Sequence, residues 1–239
     1  MPIAILMPAF NEAAAVAVTL GKLRAKAERS GGMVVFLVDD GSEPAVDPRE
    51  LPPKTSHFRI VLARHVVNLG QGAALETARQ LALRNAEAAT DAYVTMDADG
   101  QHGVDDVIAL ARAVREGADV AFGDRFAGRS SVPRGRRWLL LGARWFERAL
   151  TGLRLQDAHN GLRAFSRAAL ELVPLHQNRM AHATEIKQRV SRAGLLRIVE
   201  VPVDVRYTPG SLAKGQGALG AIDIIRDLLQ EYLFGEHRP

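Results

Sequence analysis

The 239 residues contain no cysteine. Disulfides, thiolate zinc sites and a cysteine nucleophile are therefore excluded, and the composition suits a reducing compartment. No apolar run approaches the ~20 residues that a membrane span needs. The opening MPIAILMPAFNE lacks the basic stretch of a secretory leader and meets Pro8 and Glu12 too early for one. The expectation is a cytoplasmic chain whose membrane contact, if any, is peripheral. No GxxxxGK[ST] loop occurs, nor any internal repeat, low-complexity segment or linker. The apolar fraction of 47% and charged fraction of 24% are ordinary for a globular protein. A single domain over 1–239 is expected, long enough to bury a sizeable core.

Charge is unevenly spread. Residues 1–123 hold 12 Lys+Arg and 16 Asp+Glu, a balance of −4; residues 124–239 hold 19 and 11, a balance of +8. The first half suits cations and polar groups, and the second suits phosphates or an anionic bilayer. A solvated basic face is the plainer reading of the second half.

Hydrophobic periodicity alternates between strand and helix. Strands are predicted at 3–7, 33–38, 58–63, 92–96 and 119–123, with helices at 11–30, 72–89 and 104–116. Gly31 and Gly32 end the first helix. This alternation predicts a mainly parallel sheet covered on both faces. Later segments are less regular: helices at 136–150, 181–193 and 218–234, and a strand at 196–207 that Pro202 marks as an edge or bulge.

Ligands of open α/β sheets bind beyond the carboxyl ends of the strands. Four predicted strands end there in polar groups: Pro8, Asn11 and Glu12; Asp39, Asp40, Gly41 and Ser42; Asp97, Asp99, Gln101 and His102; Asp124 and Arg125. Asp97 and Asp99 can reach one ion, and hard oxygen ligands suit Mg²⁺ or Mn²⁺. Mg²⁺ commonly takes one or two carboxylates plus substrate phosphates. Gln101 offers a further oxygen and His102 a nitrogen. Asp39 and Asp40 either accept the N–H groups of uracil or guanine, or open the proline-rich loop as an Asx turn. Gly70 and Gly72 precede a helix, but Leu75 stands where a dinucleotide fingerprint needs its third glycine. They read as permissive backbone beside a ligand. Asp157, His159, Asn160 and Arg163 cluster around Gly161. Ser211 and Lys214 lie in a Gly-rich loop suited either to phosphate capture or to a plain connection. His65, His176 and His237 show no partner spacing.

Taken together, PAFNE (8–12), VDDGS (38–42), NLGQGAA (68–74), DADGQH (97–102), GDRF (123–126), DAHNGLRAF (157–165) and EVPVDVRY (200–207) resemble the family 2 glycosyltransferases. The likeness is nearest to the branch acting on dolichol or polyprenyl phosphate. It implies a GT-A fold, α/β and Rossmann-like, with helices on both faces of the sheet and an acceptor-side extension. Residues 1–123 would form the nucleotide-sugar half, and 124–239 the acceptor half with a C-terminal amphipathic helix. It implies inverting transfer from a UDP- or GDP-sugar with Mg²⁺ or Mn²⁺. By resemblance, Pro8, Phe10, Asn11, Glu12, Asp39 or Asp40, Gly70 and Ala98 belong to the donor site. Asp97, Asp99 and Gln101 match the metal site. Arg125, Arg163, Arg206, Ser211 and Lys214 fall at phosphate, acceptor or closing-loop positions.

Asp124 replaces the Ser or Thr common before the family arginine. The C-terminal spans frequent in this branch are absent here, as is the tryptophan-rich motif of processive synthases. Asp157 is the sole base candidate for a hydroxyl acceptor, whereas a lipid phosphate needs none. Asp99, Arg125 and Asp157 are thus the expected catalytic groups. Basic and aromatic residues at 136–146 suit a bilayer surface or a core-facing helix. The alternatives are transfer to a sugar or other hydroxyl, a sugar nucleotidyltransferase, and a non-catalytic nucleotide-sugar module. No nucleic-acid partner is expected, and UDP and GDP donors both remain compatible.

Overall fold

The computed structural model describes residues 1–85, 90–127, 148, 151–157, 160–178 and 181–205. Arg206, Ser211, Lys214, His159, His237 and the helices expected at 136–150 and 218–234 lie outside that set, apart from Arg148.

Among the described residues seven strands form one sheet. They are β1 (Ile3–Ala9), β2 (Met33–Asp39), β3 (Phe58–Arg64), β4 (Ala92–Thr95), β5 (Val120–Asp124), β6 (Arg163–Phe165) and β7 (Ile198–Pro202). Their spatial order is β3-β2-β1-β4-β6-β5-β7. All pairs are parallel except those of β6, which runs antiparallel between β4 and β5. The helices are α1 (Ala13–Ala27), α2 (Gln71–Asn85), α3 (Val104–Arg115), α4 (Arg167–Glu171) and α5 (Ala181–Arg192).

Side-chain alternation in β1 and β2 explains the layering. Both strands are buried along their whole length, so each must be apolar on both faces. Ile3, Ile5, Met7, Val35 and Leu37 pack with Val16, Leu20 and Leu23 of α1 and Val107 and Leu110 of α3. Ala4, Leu6, Val34, Phe36 and Val38 face the other way, toward Ala74, Leu75 and Ala78 of α2 and Ile186 and Val190 of α5. Those helical residues recur at three- and four-residue spacing, which makes one apolar stripe per helix. In α3 the acidic Asp105 and Asp106 open the helix and Arg112 and Arg115 close it, the arrangement that the helix dipole favours. Pro202 ends β7, the edge strand, where a missing ladder N–H costs least.

The antiparallel β6 was not expected from the sequence. Three residues carry no usable period, and Arg163 masks the strand as a polar loop. Its direction matters, because an antiparallel strand delivers its beginning to the edge where its neighbours end. Asn160 and Gly161 thus arrive beside the tip of β4.

Gly72 is required for packing. A methyl there would stand 2.0 Å from the Gln177 carbonyl oxygen, and Asn178 Oδ1 next to it accepts the Ala73 N–H at 2.8 Å. Gly72→Ala is therefore expected to destabilise by about 3 kcal/mol, the upper range of overpacking, read as a lower urea midpoint.

Candidate active site

Beyond the carboxyl ends of β2, β1 and β4 lies a cleft of about 440 Å³ lined by Pro8, Ala9, Phe10, Glu12, Asp40, Asn68, Gly70, Gln71, Ala74, Asp97, Ala98 and Asp99. Three of the four expected strand tips therefore build one site. The fourth, β5, is separated from β4 by β6, a displacement of roughly 10 Å.

The loops around the cleft are tied by side chains. Asn11 has φ 54°; its N–H donates to Ser42 Oγ and its Oδ1 accepts from the Glu43 N–H, each at 2.9 Å. It braces the loops and does not itself line the cleft. Asp39 is a correction to expectation as well. Its carboxylate accepts from the N–H groups of Ser42 at 2.9 Å and Val46 at 3.0 Å. It is buried and lines no part of the cleft, so the Asx-turn alternative is the one its geometry follows. Asp40 does line the cleft. It accepts from the N–H groups of Leu69 at 3.0 Å and Gly70 at 2.8 Å, and from His65 Nδ1 at 2.6 Å. His65 Nε2 in turn contacts Thr77 Oγ1 at 3.0 Å. His65 is thus a partnered residue, contrary to its reading from sequence spacing; His176 too contacts Glu185, at 3.3 Å.

The turn after β4 carries the charged centre. Thr19 donates its hydroxyl to the Ala98 carbonyl at 3.3 Å, which anchors the turn to α1. Gln71 Nε2 donates to Asp97 Oδ1 at 3.0 Å, and His102 Nε2 lies 3.4 Å from Asp97 Oδ2. Gly161 sits so close that a methyl would meet Asp97 Oδ2 at 2.5 Å. Asp99 accepts from both the backbone and the side-chain amide of Gln101. Burial pushes the Asp97 carboxyl up, but the His102 hydrogen bond and the charges of His102, Arg163 and His182 outweigh it. The group ends below the ordinary 3.8 and is ionised near neutrality.

Among the described residues no three His, Cys, Asp or Glu side chains form a closed metal site. Two carboxylates on one open cleft are the donor set of an ion that completes its shell with substrate oxygens. Asp97 and Asp99 fit a Mg²⁺- or Mn²⁺-type ion on that chemistry, with the Gln101 carbonyl available once its amide turns.

On the acceptor side, Arg125 does not reach the cleft. Its Nε donates to Asp157 Oδ2 at 2.5 Å and its backbone N–H to the same oxygen at 3.1 Å. Both residues are buried. Asp157 is therefore held as an ion-pair partner, which argues against its expected role as a base, and Arg125 is held away from the expected phosphate contact. Asp124 closes its own turn by accepting from the N–H groups of Phe126 and Ala127. Arg163 is buried on β6 close enough to Asp97 to bias its charge. His182, Thr184, Glu185 and Lys187 of α5 are also buried; sequence spacing showed this helix but not its polar inner face.

Acid titration should reveal two opposite effects. Asp39 is pushed up by burial, but the bonds from Ser42 and Val46 and the Arg64 charge bring it below 3.8. Asp39 and Asp97 thus bind protons less readily folded than unfolded. The stability they add is complete above about pH 5 and lost as the pH falls through their lowered pKa values. Glu200 is raised above 4.5 by burial and by the charges of Asp124 and Asp157. Its cost at neutral pH is relieved as the pH falls through that raised value. Glu200→Gln should be at least as stable as wild type near pH 7, with the difference closing in acid, as monitored by urea denaturation across pH.

Known proteins resemble this chain in sequence and in fold. The sequence profile of the glycosyl transferase family 2 matches residues 4–173. An undecaprenyl-phosphate mannosyltransferase of Micrococcus luteus is 30% identical over 210 residues, 85% of this chain and 83% of that one. A UDP-N-acetylglucosamine–dolichyl-phosphate N-acetylglucosaminyltransferase of Methanococcus voltae is 29% identical over 72% of this chain and 69% of its own. Glucosyl-3-phosphoglycerate synthase from Mycobacterium tuberculosis, solved with Mn²⁺ and UDP-glucose, superposes with a TM-score of 0.64 at 22% identity, covering 96% of this chain and 78% of that one. The profile match over most of the chain, the curated relatives and the superposition converge: the chain belongs to glycosyl transferase family 2, with a GT-A fold and a glycosyltransferase's activity.

Proposed function

We propose that the enzyme transfers a sugar, with inversion and with a divalent metal, from a nucleotide-diphosphate donor to a polyprenyl-type lipid phosphate. The observation that carries this reading is the convergence of Asp97 and Asp99 with Pro8, Phe10, Glu12, Asp40 and Gly70 on one cleft. Pro8 and Phe10 offer apolar surface to a base. Asp40 and Gly70 offer polar groups to the nucleoside, and Asp97, Asp99 and Gln101 would hold Mg²⁺ or Mn²⁺. When bound, the ion neutralises charge growing on the departing diphosphate.

In the proposed step an acceptor oxygen bonds to the anomeric carbon as the bond to the donor diphosphate breaks. The transition state resembles an oxocarbenium ion, as in glycoside hydrolysis. A hydroxyl acceptor would need a base, and Asp157 is committed to Arg125. A phosphate monoester is already largely ionised near neutral pH. The basic balance of residues 124–239 and the lipid-phosphate names of the M. luteus and M. voltae relatives support the same choice. Arg163 contributes positive charge behind Asp97. Arg206, Ser211 and Lys214 keep their proposed place in a loop over the donor. No helix among the described residues is long and apolar enough to cross a membrane; a peripheral approach to an anionic cytoplasmic bilayer face completes the proposal.

Melting curves with GDP-mannose, UDP-glucose and UDP-N-acetylglucosamine, each with and without Mn²⁺, test the donor site. One donor should raise the melting temperature only when Mn²⁺ is present, and a flat response to all of them would count against the transferase reading. Transfer of labelled sugar to polyprenyl phosphate tests the acceptor. Label on a free oligosaccharide with none on the lipid would overturn that choice.

A further inference from the structure

The hydrogen-bond count around Asp40 carries a conclusion about the donor base. A carboxylate offers about four acceptor positions, two on each oxygen. Asp40 Oδ1 accepts from His65 Nδ1 at 2.6 Å and from the Leu69 N–H at 3.0 Å, and Oδ2 accepts from the Gly70 N–H at 2.8 Å. Oδ1 is filled, and one position remains, on Oδ2. Both Asp40 oxygens accept backbone N–H groups, so the contact at Oδ1 is one that His65 Nδ1 donates, while Nε2 lies 3.0 Å from the Thr77 hydroxyl. The imidazole is thereby fixed between a buried carboxylate and helix α2, and it is itself largely buried, 12% exposed. A Cβ built on the neighbouring Gly41 would stand 2.6 Å from the Val67 carbonyl carbon and 2.7 Å from the Asn68 nitrogen, so this turn packs closely on the loop that follows β3. Contacts within the protein thus fix which acceptor position of Asp40 remains for a ligand.

We infer that His65, backed by Thr77, is a positioning residue that leaves Asp40 a single acceptor and so selects a uracil base over guanine. Uracil presents one ring N–H between two carbonyl oxygens, and one acceptor satisfies it. Guanine presents two adjacent donors, its ring N–H and its exocyclic amine. A carboxylate meets that pair with one acceptor on each oxygen, and Oδ1 is already full. One guanine donor would then be desolvated without a partner, a cost that binding sites register strongly. Asn68 lines the same rim and carries an amide N–H₂ suited to a uracil carbonyl. This inference rests on the proposed nucleotide-sugar donor.

The test is calorimetric titration of the intact protein with UDP and with GDP, each with Mn²⁺ present, for wild type, His65→Ala and His65→Gln. Wild type should bind UDP at least about tenfold more tightly than GDP, the effect of one unpaired buried donor. His65→Ala frees an Oδ1 position and should shrink that ratio severalfold. His65→Gln retains an N–H donor toward Asp40 and should keep most of it. If His65→Ala does not fold, Thr77→Val loosens the imidazole from behind and should narrow the ratio more mildly. Equal affinities, or tighter GDP, in wild type overturn the base assignment and leave the donor site standing. Binding of neither nucleotide overturns both. A His65→Ala protein that loses UDP and GDP in equal proportion overturns the role given to His65.

Discussion

Replacing Asp97 or Asp99 by alanine should abolish Mn²⁺-dependent nucleotide binding and lower sugar transfer by about a thousandfold. Removal of a group that stabilises charge in the transition state costs about that much. Asp99→Ala should leave the melting temperature nearly unchanged, because Asp99 lies outside the apolar core, whereas Asp97→Ala should lower it modestly as the contacts to Gln71 and His102 are lost. These two partners of Asp97 differ in consequence. Gln71 lies at the cleft, where water replaces the lost bond. His102 is buried and its Nδ1 already lacks a partner among the described residues, so Asp97→Asn, which keeps an acceptor, is the milder control for folding. Near-normal turnover in either alanine variant would remove both carboxylates from the site.

The second large effect falls on stability. Arg125 and Asp157 are joined by two hydrogen bonds to one carboxylate oxygen, and both are buried. Breaking such a pair by removing one partner strands a charge and costs about 3–5 kcal/mol. Arg125→Ala and Asp157→Ala should each show that loss in urea denaturation. The double variant should cost much less than the two added together, since residues in direct contact couple. Additive losses would show that the pair contributes nothing through its contact. A large fall in transfer without loss of stability would return Arg125 to the phosphate role that its sequence position suggests.

Much of the fold is legible in the residues. β1 and β2 are short apolar runs bounded by polar tips, and α1, α2 and α3 carry clear apolar stripes, so their placement comes from periodicity alone. β6 is different. Arg163-Ala164-Phe165 is too short to show alternation, and its identity as a strand depends on β4 and β5 lying on either side. The same long-range dependence explains the site. Asp97, Asp99, Pro8 and Asp40 stand at or just past the carboxyl ends of apolar runs, where the rule for open sheets places ligands. Gln71, Thr19 and Gly161 act through contacts across 26, 79 and 64 residues of chain, and no local pattern reports them. His65 carries a weak signal, since it comes directly after β3, as Asp40 comes directly after β2, and adjacent parallel strands bring such residues together. Asp39 shows the converse. It looks identical to Asp40 in sequence, and only the direction each carboxylate takes beyond β2 separates a loop brace from a cleft residue.

The most direct test of the central claim is a crystal of the protein soaked with MnCl₂ and UDP, measured by anomalous scattering at the manganese edge. The account predicts one strong peak between the Asp97 and Asp99 carboxylates and the diphosphate, with the base lying toward Asp40. Manganese bound elsewhere, or a nucleotide seated away from the tips of β2, β1 and β4, would contradict it.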